Sequence, residues 1–565
     1  MQVLQIRQLA LEVMQNNASV PLINSLSFCL EEGKTTALVG ESGSGKSFTA
    51  LSILKLHQDK IICNGQILYT CNGREFDLLK TNEKELQKIR GKEIAMIFQE
   101  PMSALNPLIR CGDQIAECLI KHLSMTKNQA KKRTIELLQK VEFDEHEMIY
   151  KRLPHQLSGG QQQRIMIAMA ISCEPKVLIA DEPTTALDIQ VQEQILSLIK
   201  KIQLETKMAV LLITHDIGMV EQHADEILVM YKGDMVEQGS TSEILFEPKH
   251  RYTKGLLACR PLFSSKGKRL PILDDFYTHE IPDASVKQEV IKEVVFSTPL
   301  IENKNVLEVD HVSVGYQSET KSFFENTEVK KTLYDACFDV KKGEIMGLVG
   351  ESGSGKSTLS KAILKLIPLI EGSIKLDGKS IAEYERKAFA RKMQVVFQDP
   401  YGSLHPRMTV GEAIMEPMMV HGLYDNLKMR TERKIELLEL VGLKADDSKK
   451  FPHQFSGGQR QRICISRSLA LNPSFLIFDE SVSALDLSIQ SQILNLVMDL
   501  RGKLGFSGLF ISHNLSVIHY ISDRVLVLQK GKIVEQGNTE QVFSDPQHHY
   551  TKQLVDFSLR NGASG

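Results

Sequence analysis

The feature that most limits how this chain can fold is a domain-length pattern that occurs twice in its 565 residues. The sequence VGESGSGKS stands at Val39–Ser47 and again at Val349–Ser357. Three later blocks follow in the same order in both copies: PHQLSGGQQQR and PHQFSGGQRQR, ADEPTTALD and FDESVSALD, and ITHD and ISHN. A tandem repeat of this length predicts two domains of roughly 250 residues with one common fold.

The spacing of the blocks locates an insertion and a linker. The first blocks are 310 residues apart and the later ones 298 apart, so the first copy carries extra residues, which we place within 63–92. Residues 264–305 hold three prolines and charges of both signs without an apolar period, which is typical of a linker. We therefore predict a first domain with a C-terminal extension at 1–263, this linker with a short strand at Val290–Phe296, and a second domain with its own extension at 306–565.

Each copy alternates short apolar runs rich in β-formers with segments of helical period. In the first copy we predict strands at Thr35–Val39, Ile94–Phe98, Val177–Ala180 and Val210–Ile213, and helices at Lys46–Leu56 and Gln161–Ile171. Such alternation indicates an α/β fold built on a mostly parallel sheet.

Composition excludes several classes of protein. The net charge of −2 lacks the basic excess of a dedicated nucleic-acid binder, so we predict no nucleic-acid partner. The nine cysteines form no CxxC pair, which removes the usual zinc frameworks. There is no run of about 18 apolar residues for a membrane span, and the first residues do not form a signal peptide. We expect a soluble, cytosolic chain unless a partner holds it at a membrane.

The repeated first block fits the phosphate-loop pattern G-x-x-x-x-G-K-[ST], between an apolar strand and a helix. Its glycines let backbone N–H groups surround phosphate oxygens, the lysine reaches the β- and γ-phosphates, and the serine after it binds Mg²⁺. The predicted nucleotide contacts are Gly40, Glu41, Ser42, Gly43, Ser44, Gly45, Lys46, Ser47 and Phe48, and Gly350, Glu351, Ser352, Gly353, Ser354, Gly355, Lys356, Ser357 and Thr358.

Two carboxylates end an apolar strand in each copy: Asp181 and Glu182, then Asp479 and Glu480. We predict that the aspartate holds Mg²⁺ and that the glutamate polarises the attacking water. Phosphoryl transfer depends mostly on positioning and charge stabilisation, and a metal, a lysine and a water-orienting base supply both.

The third block opens a helix with LSGGQ or FSGGQ, comprising Ser158, Gly159, Gly160 and Gln161, and Ser456, Gly457, Gly458 and Gln459. Placed between a phosphate loop and an Asp-Glu strand, this signature resembles that of the ATP-binding cassette (ABC) proteins. The resemblance implies two cassettes, each with a core sheet, an antiparallel subdomain and a helical signature subdomain. It also implies an intramolecular dimer in which Ser456–Gln459 complete the site of Lys46, and Ser158–Gln161 that of Lys356.

The same resemblance assigns further residues. Gln99 and Gln398 resemble the Q-loop glutamines that contact Mg²⁺ and water, His215 and His513 the switch histidines, and Asp188 and Asp486 the D-loop aspartates. Tyr316 is the candidate for stacking on adenine, whereas Val13 stands at the equivalent position of the first copy. Because every phosphate-handling group is present twice, we expect ATP and Mg²⁺ to bind at two hydrolytic sites.

Finer features resemble the dipeptide, oligopeptide and nickel importer branch of that family. These are FQEPMSALNP and FQDPYGSLHPRMTV around the Q-loops, ALDLSIQSQIL, and the tails PKHRYTK and PQHHYTK. The resemblance implies the energy-coupling subunit of a bacterial peptide importer, with glutathione, nickel or metal–chelate complexes as other cargoes of the branch. Its partners would be two integral-membrane permeases and an extracytoplasmic binding protein, and its place the cytoplasmic face of the inner membrane.

Two alternatives stay open at this point. A twin-cassette ATPase acting on ribosomes or DNA would match the length, but the linker is not a long charged helix and the zinc-binding CxxC pairs of the DNA-repair type are missing. An exporter ATPase would share the catalytic core, but the tail motifs favour import.

Overall fold

A computed structural model describes residues 1–15, 18–57, 60–71, 73–185, 187–277, 296, 301–317, 329–483 and 485–560. The chain packs into two compact units. The first comprises Met1–Ala258 and the short stretch that begins at Leu273, and the second comprises Cys259–Ile272 and the rest of the described chain. No helix among these residues is long and apolar enough to cross a membrane.

The first unit contains ten strands and ten α-helices among its described residues. The strands are β1 (Gln2–Gln15), β2 (Ala18–Glu31), β3 (Thr35–Val39), β4 (Ile61–Cys71), β5 (Arg74–Asp77), β6 (Ile94–Ile97), β7 (Val177–Asp181), β8 (Ala209–Thr214), β9 (Glu226–Tyr231) and β10 (Asp234–Ser240). The helices are α1 (Lys46–Ile53), α2 (Glu83–Ile89), α3 (Pro101–Ala104), α4 (Cys111–Leu123), α5 (Lys127–Lys140), α6 (His146–Lys151), α7 (Gly159–Ile171), α8 (Ile189–Thr206), α9 (Thr241–Phe246) and α10 (Arg251–Ala258).

The second unit repeats this order within the described part of the chain, except that it has no α-helix equivalent to α6 and has an additional helix between the strands equivalent to β8 and β9. Its strands are β11 (Glu302–Gln317), β12 (Val329–Lys342), β13 (Ile345–Val349), β14 (Glu371–Leu376), β15 (Lys379–Ser380), β16 (Met393–Val396), β17 (Phe475–Asp479), β18 (Ser507–Ile511), β19 (Arg524–Gln529) and β20 (Lys532–Asn538). Its helices are α11 (Lys356–Ile363), α12 (Arg386–Lys392), α13 (Pro400–Ser403), α14 (Val410–Val420), α15 (Leu427–Leu440), α16 (Gly457–Leu469), α17 (Leu487–Leu504), α18 (Leu515–Ile521), α19 (Thr539–Ser544) and α20 (His549–Arg560).

A six-stranded sheet forms the centre of each unit. Its order is β10-β9-β3-β8-β7-β6 in the first unit and β20-β19-β13-β18-β17-β16 in the second, with only the β10 and β20 edges antiparallel. Strands β3, β7 and β8 are buried along their whole length. Strands covered on both faces require continuous apolar runs, which is why the sequence shows runs there rather than alternation.

A four-stranded antiparallel sheet packs beside the central sheet in each unit, in the order β2-β1-β4-β5 and β12-β11-β14-β15. In the first unit one hydrophobic core joins the two sheets, with Leu4 and Ile6 from β1 beside Leu38 of β3 and Ile179 of β7. Helices α3–α7 lie between β6 and β7 in the chain, as α13–α16 do between β16 and β17. This confirms the predicted α/β fold with a mostly parallel sheet, an antiparallel subdomain and a helical segment that leads into the signature.

The predicted elements differ from the structure at their ends. The strand at Thr35–Val39 is confirmed as predicted, whereas the first helix ends at Ile53 and not Leu56, and α7 begins at Gly159, two residues before the predicted start. Ser158 accounts for the second difference, because it caps α7 and so places both glycines inside the helix. Most of the extra residues of the first copy lie in the longer β4–β5 hairpin, Ile61–Asp77, and others lie between the end of α2 at Ile89 and the start of β6 at Ile94.

Packing divides the chain after Ala258, earlier than the boundary predicted from the sequence. The stretch Cys259–Ile272 belongs to the second unit, although we predicted its first part in the extension of the first domain and its second part in the linker. The backbone N–H of Leu270 donates to Asn495 Oδ1 at 3.0 Å, and the Asn495 amide donates back to the Leu270 carbonyl at 2.8 Å. Arg269 also pairs with Asp499 at 3.0 Å. The domain boundaries stay a prediction, and the strand predicted at Val290–Phe296 lies outside the described residues except for Phe296.

Candidate nucleotide sites

Each phosphate loop lies where a buried central strand gives way to a helix. β3 ends at Val39 and α1 begins at Lys46, and in the second unit β13 ends at Val349 and α11 begins at Lys356. The predicted loop residues therefore stand at the carboxyl end of the sheet and at the N-terminus of a helix. Backbone N–H groups at a helix N-terminus and the helix dipole both favour phosphate at such a place.

The two loop lysines are buried and make the same contacts. Lys46 Nζ donates to the carbonyls of Gly40 at 2.7 Å and Glu41 at 2.9 Å. Lys356 Nζ donates to the carbonyls of Gly350 at 2.7 Å and Glu351 at 3.0 Å. Each ammonium is thus held over its own loop by neutral acceptors, from which it can transfer to the stronger acceptor oxygens of a phosphate.

The aspartates that end β7 and β17 lie beside hydroxyl groups of the helix after the loop. Ser47 Oγ donates to Asp181 Oδ1 at 3.1 Å, which brings together two predicted Mg²⁺ ligands. Asp479 instead accepts from Ser360 at 3.2 Å, one turn further along its helix than the predicted ligand Ser357. Burial raises the pKa of Asp181 to about 6 and also raises the pKa of Asp479, so each carboxylate carries a charge that a bound cation would stabilise.

In the first unit, Glu182 is the centre of a hydrogen-bond cluster. Its Oε2 accepts from the Gln99 amide at 2.9 Å and from the Thr185 hydroxyl at 2.9 Å, and it lies 3.3 Å from His215 Nδ1. Burial alone would raise the pKa of Glu182, but the hydrogen bond and charge of His215, helped by Thr185, lower it to about 2. The catalytic glutamate, the Q-loop glutamine and the switch histidine predicted from the sequence therefore meet at one oxygen atom.

The second unit holds the equivalent residues less tightly. His513 Nδ1 lies 4.0 Å from Glu480 Oε2, and Lys356 Nζ lies 4.0 Å from the other carboxylate oxygen. Gln398 donates to the Ser483 hydroxyl at 3.5 Å, and that hydroxyl donates to the Glu480 backbone carbonyl at 2.8 Å. The Glu480 side chain is 23% exposed, compared with 10% for Glu182, so solvent reaches the second carboxylate more easily.

Both candidate catalytic glutamates have a left-handed backbone. The φ angle is 46° at Glu182 and 48° at Glu480. This conformation is uncommon outside glycine, costs on the order of 1–3 kcal/mol, and is concentrated at functional sites. The backbone N–H of each glutamate bonds to a carbonyl at the end region of the neighbouring strand, Ile213 at 2.9 Å or Ile511 at 3.0 Å. The strained turn aims the side chain beyond the edge of the sheet.

The signature serines cap the helices that follow them. Ser158 Oγ accepts from the Gln161 N–H at 3.4 Å, and the Gln161 side chain accepts from the Ser158 N–H at 3.1 Å; Ser456 and Gln459 repeat this capping box with the same distances. A Cβ at Gly160 would lie 2.5 Å from Val191, and one at Gly458 would lie 2.3 Å from Ile489. The second glycine of each signature is therefore required for close packing of the next helix.

Other predicted residues have a defined place as well. Asp188 caps α8 by accepting from the Val191 N–H at 2.9 Å, and Asp486 stands at the N-cap of α17. The Tyr316 hydroxyl lies 3.4 Å from the hydroxyl of Thr358, on the helix that follows the second loop, and Tyr316 is 43% exposed. Tyr316 is thus available beside its phosphate loop. The pairing of each loop with the signature of the other unit stays a prediction.

Three hydroxyl groups near the carboxylates were not among the residues predicted from the sequence. Thr185 and Ser483 follow the glutamates by three residues, and Ser360 follows Lys356 by four. Helical spacing could have indicated Ser360, because residues four apart share one face of a helix.

The two sites thus define the class of the protein: a nucleoside triphosphatase with two phosphate loops. A family model described as ABC transporter matches residues 23–185 and 333–483, and one described as oligopeptide/dipeptide transporter, C-terminal region, matches residues 236–275 and 534–564. The chain belongs to the ABC transporter family of ATPases, as the signature motifs predicted, and to its oligopeptide/dipeptide branch.

Curated relatives match over almost the whole chain. The chain is 43% identical over 560 residues to the glutathione import ATP-binding protein GsiA of Escherichia coli strain K12, which covers 98% of this chain and 89% of that protein. It is 42% identical over 565 residues to the protein of the same name from Pectobacterium atrosepticum, with the same coverage.

Solved structures of single cassettes match parts of the chain. One is cbiO1 from Clostridium perfringens, described as part of the ABC transporter complex cbiONQ, with 25% identity, a TM-score of 0.38 and coverage of 43% of this chain and 92% of that one. Another is the cassette MJ0796 bound to ADP and Pi, with 26% identity, a TM-score of 0.37 and coverage of 41% and 98%.

Proposed function

We propose that this chain is the ATP-hydrolysing, energy-coupling subunit of a bacterial importer that carries glutathione or similar short peptides. The observation that carries the proposal is the combination of two complete sets of phosphate-handling residues with two extensions of the oligopeptide/dipeptide type. The relatives named for glutathione import favour glutathione within a branch that also carries dipeptides and nickel complexes.

The residues around each loop fit Mg²⁺, which prefers oxygen ligands. Ser47 Oγ and Asp181 Oδ1 already lie 3.1 Å apart, and the raised pKa of the buried Asp181 reflects a charge that lacks full compensation. We assign the metal to Ser47, Gln99 and Asp181 in the first unit and to Ser357, Gln398 and Asp479 in the second. Bound there, Mg²⁺ would neutralise charge on the β- and γ-phosphates.

The first site is arranged to orient water. A pKa near 2 keeps Glu182 ionised at neutral pH, so it serves to align and polarise the attacking water and not to store its proton. Gln99 and His215 share its Oε2 and are therefore in position to respond to the γ-phosphate. Lys46 leaves the Gly40 and Glu41 carbonyls for the phosphates, where charge develops during transfer.

Transport would follow from closure and reopening of the two cassettes. We infer that Ser456–Gln459 cap the ATP held by Lys46, and that Ser158–Gln161 cap the ATP held by Lys356, through the N-termini of α16 and α7. Closure would then depend on ATP, and hydrolysis would release it, as in other switches held by γ-phosphate contacts. Two separate permeases and an extracytoplasmic binding protein would complete the importer, with this chain at the cytoplasmic face of the membrane.

An uptake experiment tests the proposal. In the source bacterium, the coding sequence is deleted, and uptake of labelled glutathione, a labelled dipeptide and nickel is compared. The deleted strain is then complemented with the wild-type chain or with the E182Q/E480Q double variant. We expect glutathione uptake to fall on deletion, to return with the wild type and to stay low with the double variant. If only dipeptide or nickel uptake falls, the chain serves an importer of that cargo and not of glutathione. If uptake of all three is unchanged, the proposed importer function is wrong.

A further inference from the structure

A buried tyrosine from the C-terminal extension touches the phosphate loop in each unit. Tyr252, in α10, has no exposed surface, and its hydroxyl accepts a hydrogen bond from the backbone N–H of Glu41 at 3.0 Å. Tyr550, in α20, is 2% exposed, and its hydroxyl accepts from the backbone N–H of Glu351, also at 3.0 Å. The extension thus reaches the same atom of the loop in both units.

The bonded N–H belongs to the peptide group on which the loop lysine rests. The Gly40 carbonyl and the Glu41 N–H are the two ends of one planar unit. Lys46 Nζ holds the carbonyl end at 2.7 Å, and Tyr252 holds the N–H end at 3.0 Å. In the second unit, the Gly350–Glu351 peptide is held in the same way by Lys356 and Tyr550.

That peptide group needs a contact from outside the loop to fix its orientation, because its carbonyl belongs to a glycine. The φ angle of Gly40 is 156°, and a Cβ there would lie 2.2 Å from the Met230 carbonyl oxygen; Gly350 has the same angle, and its Cβ would lie 2.2 Å from the Leu528 carbonyl oxygen. Only glycine fits this close approach, and glycine leaves the peptide plane free to rotate. When the lysine moves to a phosphate, the tyrosine still holds the N–H end of this peptide group.

A chain of hydrogen bonds fixes the tyrosine in turn. The Tyr252 N–H donates to His250 Nδ1 at 3.2 Å, and the His250 N–H donates to Glu237 of the edge strand β10 at 3.0 Å. Tyr550, His548 and Glu535 of β20 repeat these contacts at 3.2 and 3.0 Å. This accounts for the histidine and tyrosine of the repeated tail motif, since the histidine shapes the turn onto the sheet edge and the tyrosine reaches the loop.

We propose that Tyr252 and Tyr550 are positioning residues of the ATPase, which hold the Gly40–Glu41 and Gly350–Glu351 peptides in the orientation that receives the β- and γ-phosphates. A buried tyrosine hydroxyl usually has some hydrogen-bond partner, so satisfaction of the hydroxyl alone is the simpler explanation. The repetition of one partner atom, in the peptide that also binds the lysine, favours positioning. The proposal concerns ATP handling and holds for any cargo of the transporter.

The test compares full-length Y252F, Y550F, the Y252F/Y550F double variant and the control Y520F. Tyr520 is also a buried tyrosine, but its hydroxyl bonds to Asn495 at 2.9 Å, away from the loop residues. We expect the KM for ATP of the double variant to rise about three- to tenfold with kcat within about twofold, the effect of losing one hydrogen bond per loop before hydrolysis. The single variants should show part of this rise.

The melting temperature of each variant separates positioning from stability. We expect Y520F to lower the melting temperature and to leave the KM for ATP unchanged. If the double variant loses melting temperature but keeps the wild-type KM, the tyrosines only stabilise the fold and the proposal is overturned. A loss of kcat at constant KM would also contradict it, because it would place the tyrosines in the hydrolytic step. If the double variant does not fold, the single variants decide by the same criteria.

Discussion

The two nucleotide sites contain nearly the same residues and arrange them differently. In the first unit, the Gln99 amide, the Thr185 hydroxyl and His215 converge on one oxygen of Glu182 within 3.3 Å. In the second, Gln398 reaches Ser483 instead, and His513 lies 4.0 Å from Glu480. The hydroxyl that donates to the aspartate also comes from different positions, from Ser47 in the first unit and from Ser360 in the second.

Two copies of the same motifs therefore do not produce identical sites. The positions that differ are Ala50, where the second copy has Ser360, and Thr185, where the second copy has Ser483. Because a side-chain hydroxyl can bond to its own backbone instead of a neighbour, one such change can redirect a nearby amide. We infer that the side chains of the first site are the more ordered ones before nucleotide binds. Those of the second site would become ordered to a larger extent when nucleotide binds.

Glutamine substitution of the candidate catalytic glutamates should have the largest effect and tests whether both sites hydrolyse ATP. We expect E182Q and E480Q each to lower ATPase turnover about tenfold or more, and the double variant by about 10²–10⁴-fold, because each loses the carboxylate that aligns and polarises the attacking water. Turnover is measured with purified full-length protein. Glu75→Gln, at an exposed position of the β4–β5 hairpin, should change nothing. If either E182Q or E480Q leaves turnover at the wild-type rate, that site is not hydrolytic.

The sequence was enough to predict the α/β fold and both loops because those features depend on local order in the chain. Strand β3 is a fully buried apolar run directly before a phosphate loop, so its position and its role follow together. The partner of Asp479 could not be predicted in the same way, since Ser357 and Ser360 both follow the lysine and only packing decides between them. The path of Cys259–Ile272 was equally hidden, because Leu270 pairs with a residue 225 positions away.

The signature glycines allow a second comparison, within each signature and between the units. Gly160→Ala and Gly458→Ala would place a Cβ 2.5 Å from Val191 and 2.3 Å from Ile489, an overpacking that costs roughly 1–3 kcal/mol of unfolding free energy. Gly457→Ala is the matched control, because its Cβ would meet Leu485 at an ordinary 3.8 Å. Denaturant unfolding measures the effect. Equal stability of Gly458→Ala and Gly457→Ala would show that the contact with Ile489 relaxes freely.

The buried aspartates should make the nucleotide-free protein less stable at neutral pH. Burial raises the pKa of Asp181 from 3.8 to about 6. Below pH 4 this carboxyl is protonated in both the folded and the unfolded protein, and its burial then costs no charge. As the pH rises through 6, the buried carboxyl must ionise and the folded protein loses stability. Asp181→Asn should therefore raise the unfolding free energy at pH 7 by roughly 1–3 kcal/mol, and the gain should vanish near pH 4. Asp479→Asn should gain less, because Asp479 is less buried. A loss of stability in Asp181→Asn at pH 7, without nucleotide, would contradict this.

The smallest expected effect concerns the adenine base and the position of an aromatic ring in each site. The positions of Tyr316 and Thr358 in the second unit are occupied by Val13 and Phe48 in the first. Each unit therefore has an aromatic residue at one of these two positions, but not at the same one. Both rings present surface, with Phe48 36% and Tyr316 43% exposed. We therefore expect Phe48→Ala and Tyr316→Ala each to weaken ATP binding about two- to tenfold, the value of one aromatic stacking contact.

Binding of a fluorescent ATP analogue to the hydrolysis-deficient E182Q/E480Q protein measures these contributions separately. Val13→Ala is the control for the first unit and should leave the affinity unchanged, because its side chain offers no ring. If Tyr316→Ala weakens binding and Phe48→Ala does not, the first site holds adenine without an aromatic partner. The two sites would then differ in nucleotide affinity as well as in resting order, and the second would fill first at low ATP concentration although its glutamate is the less ordered one.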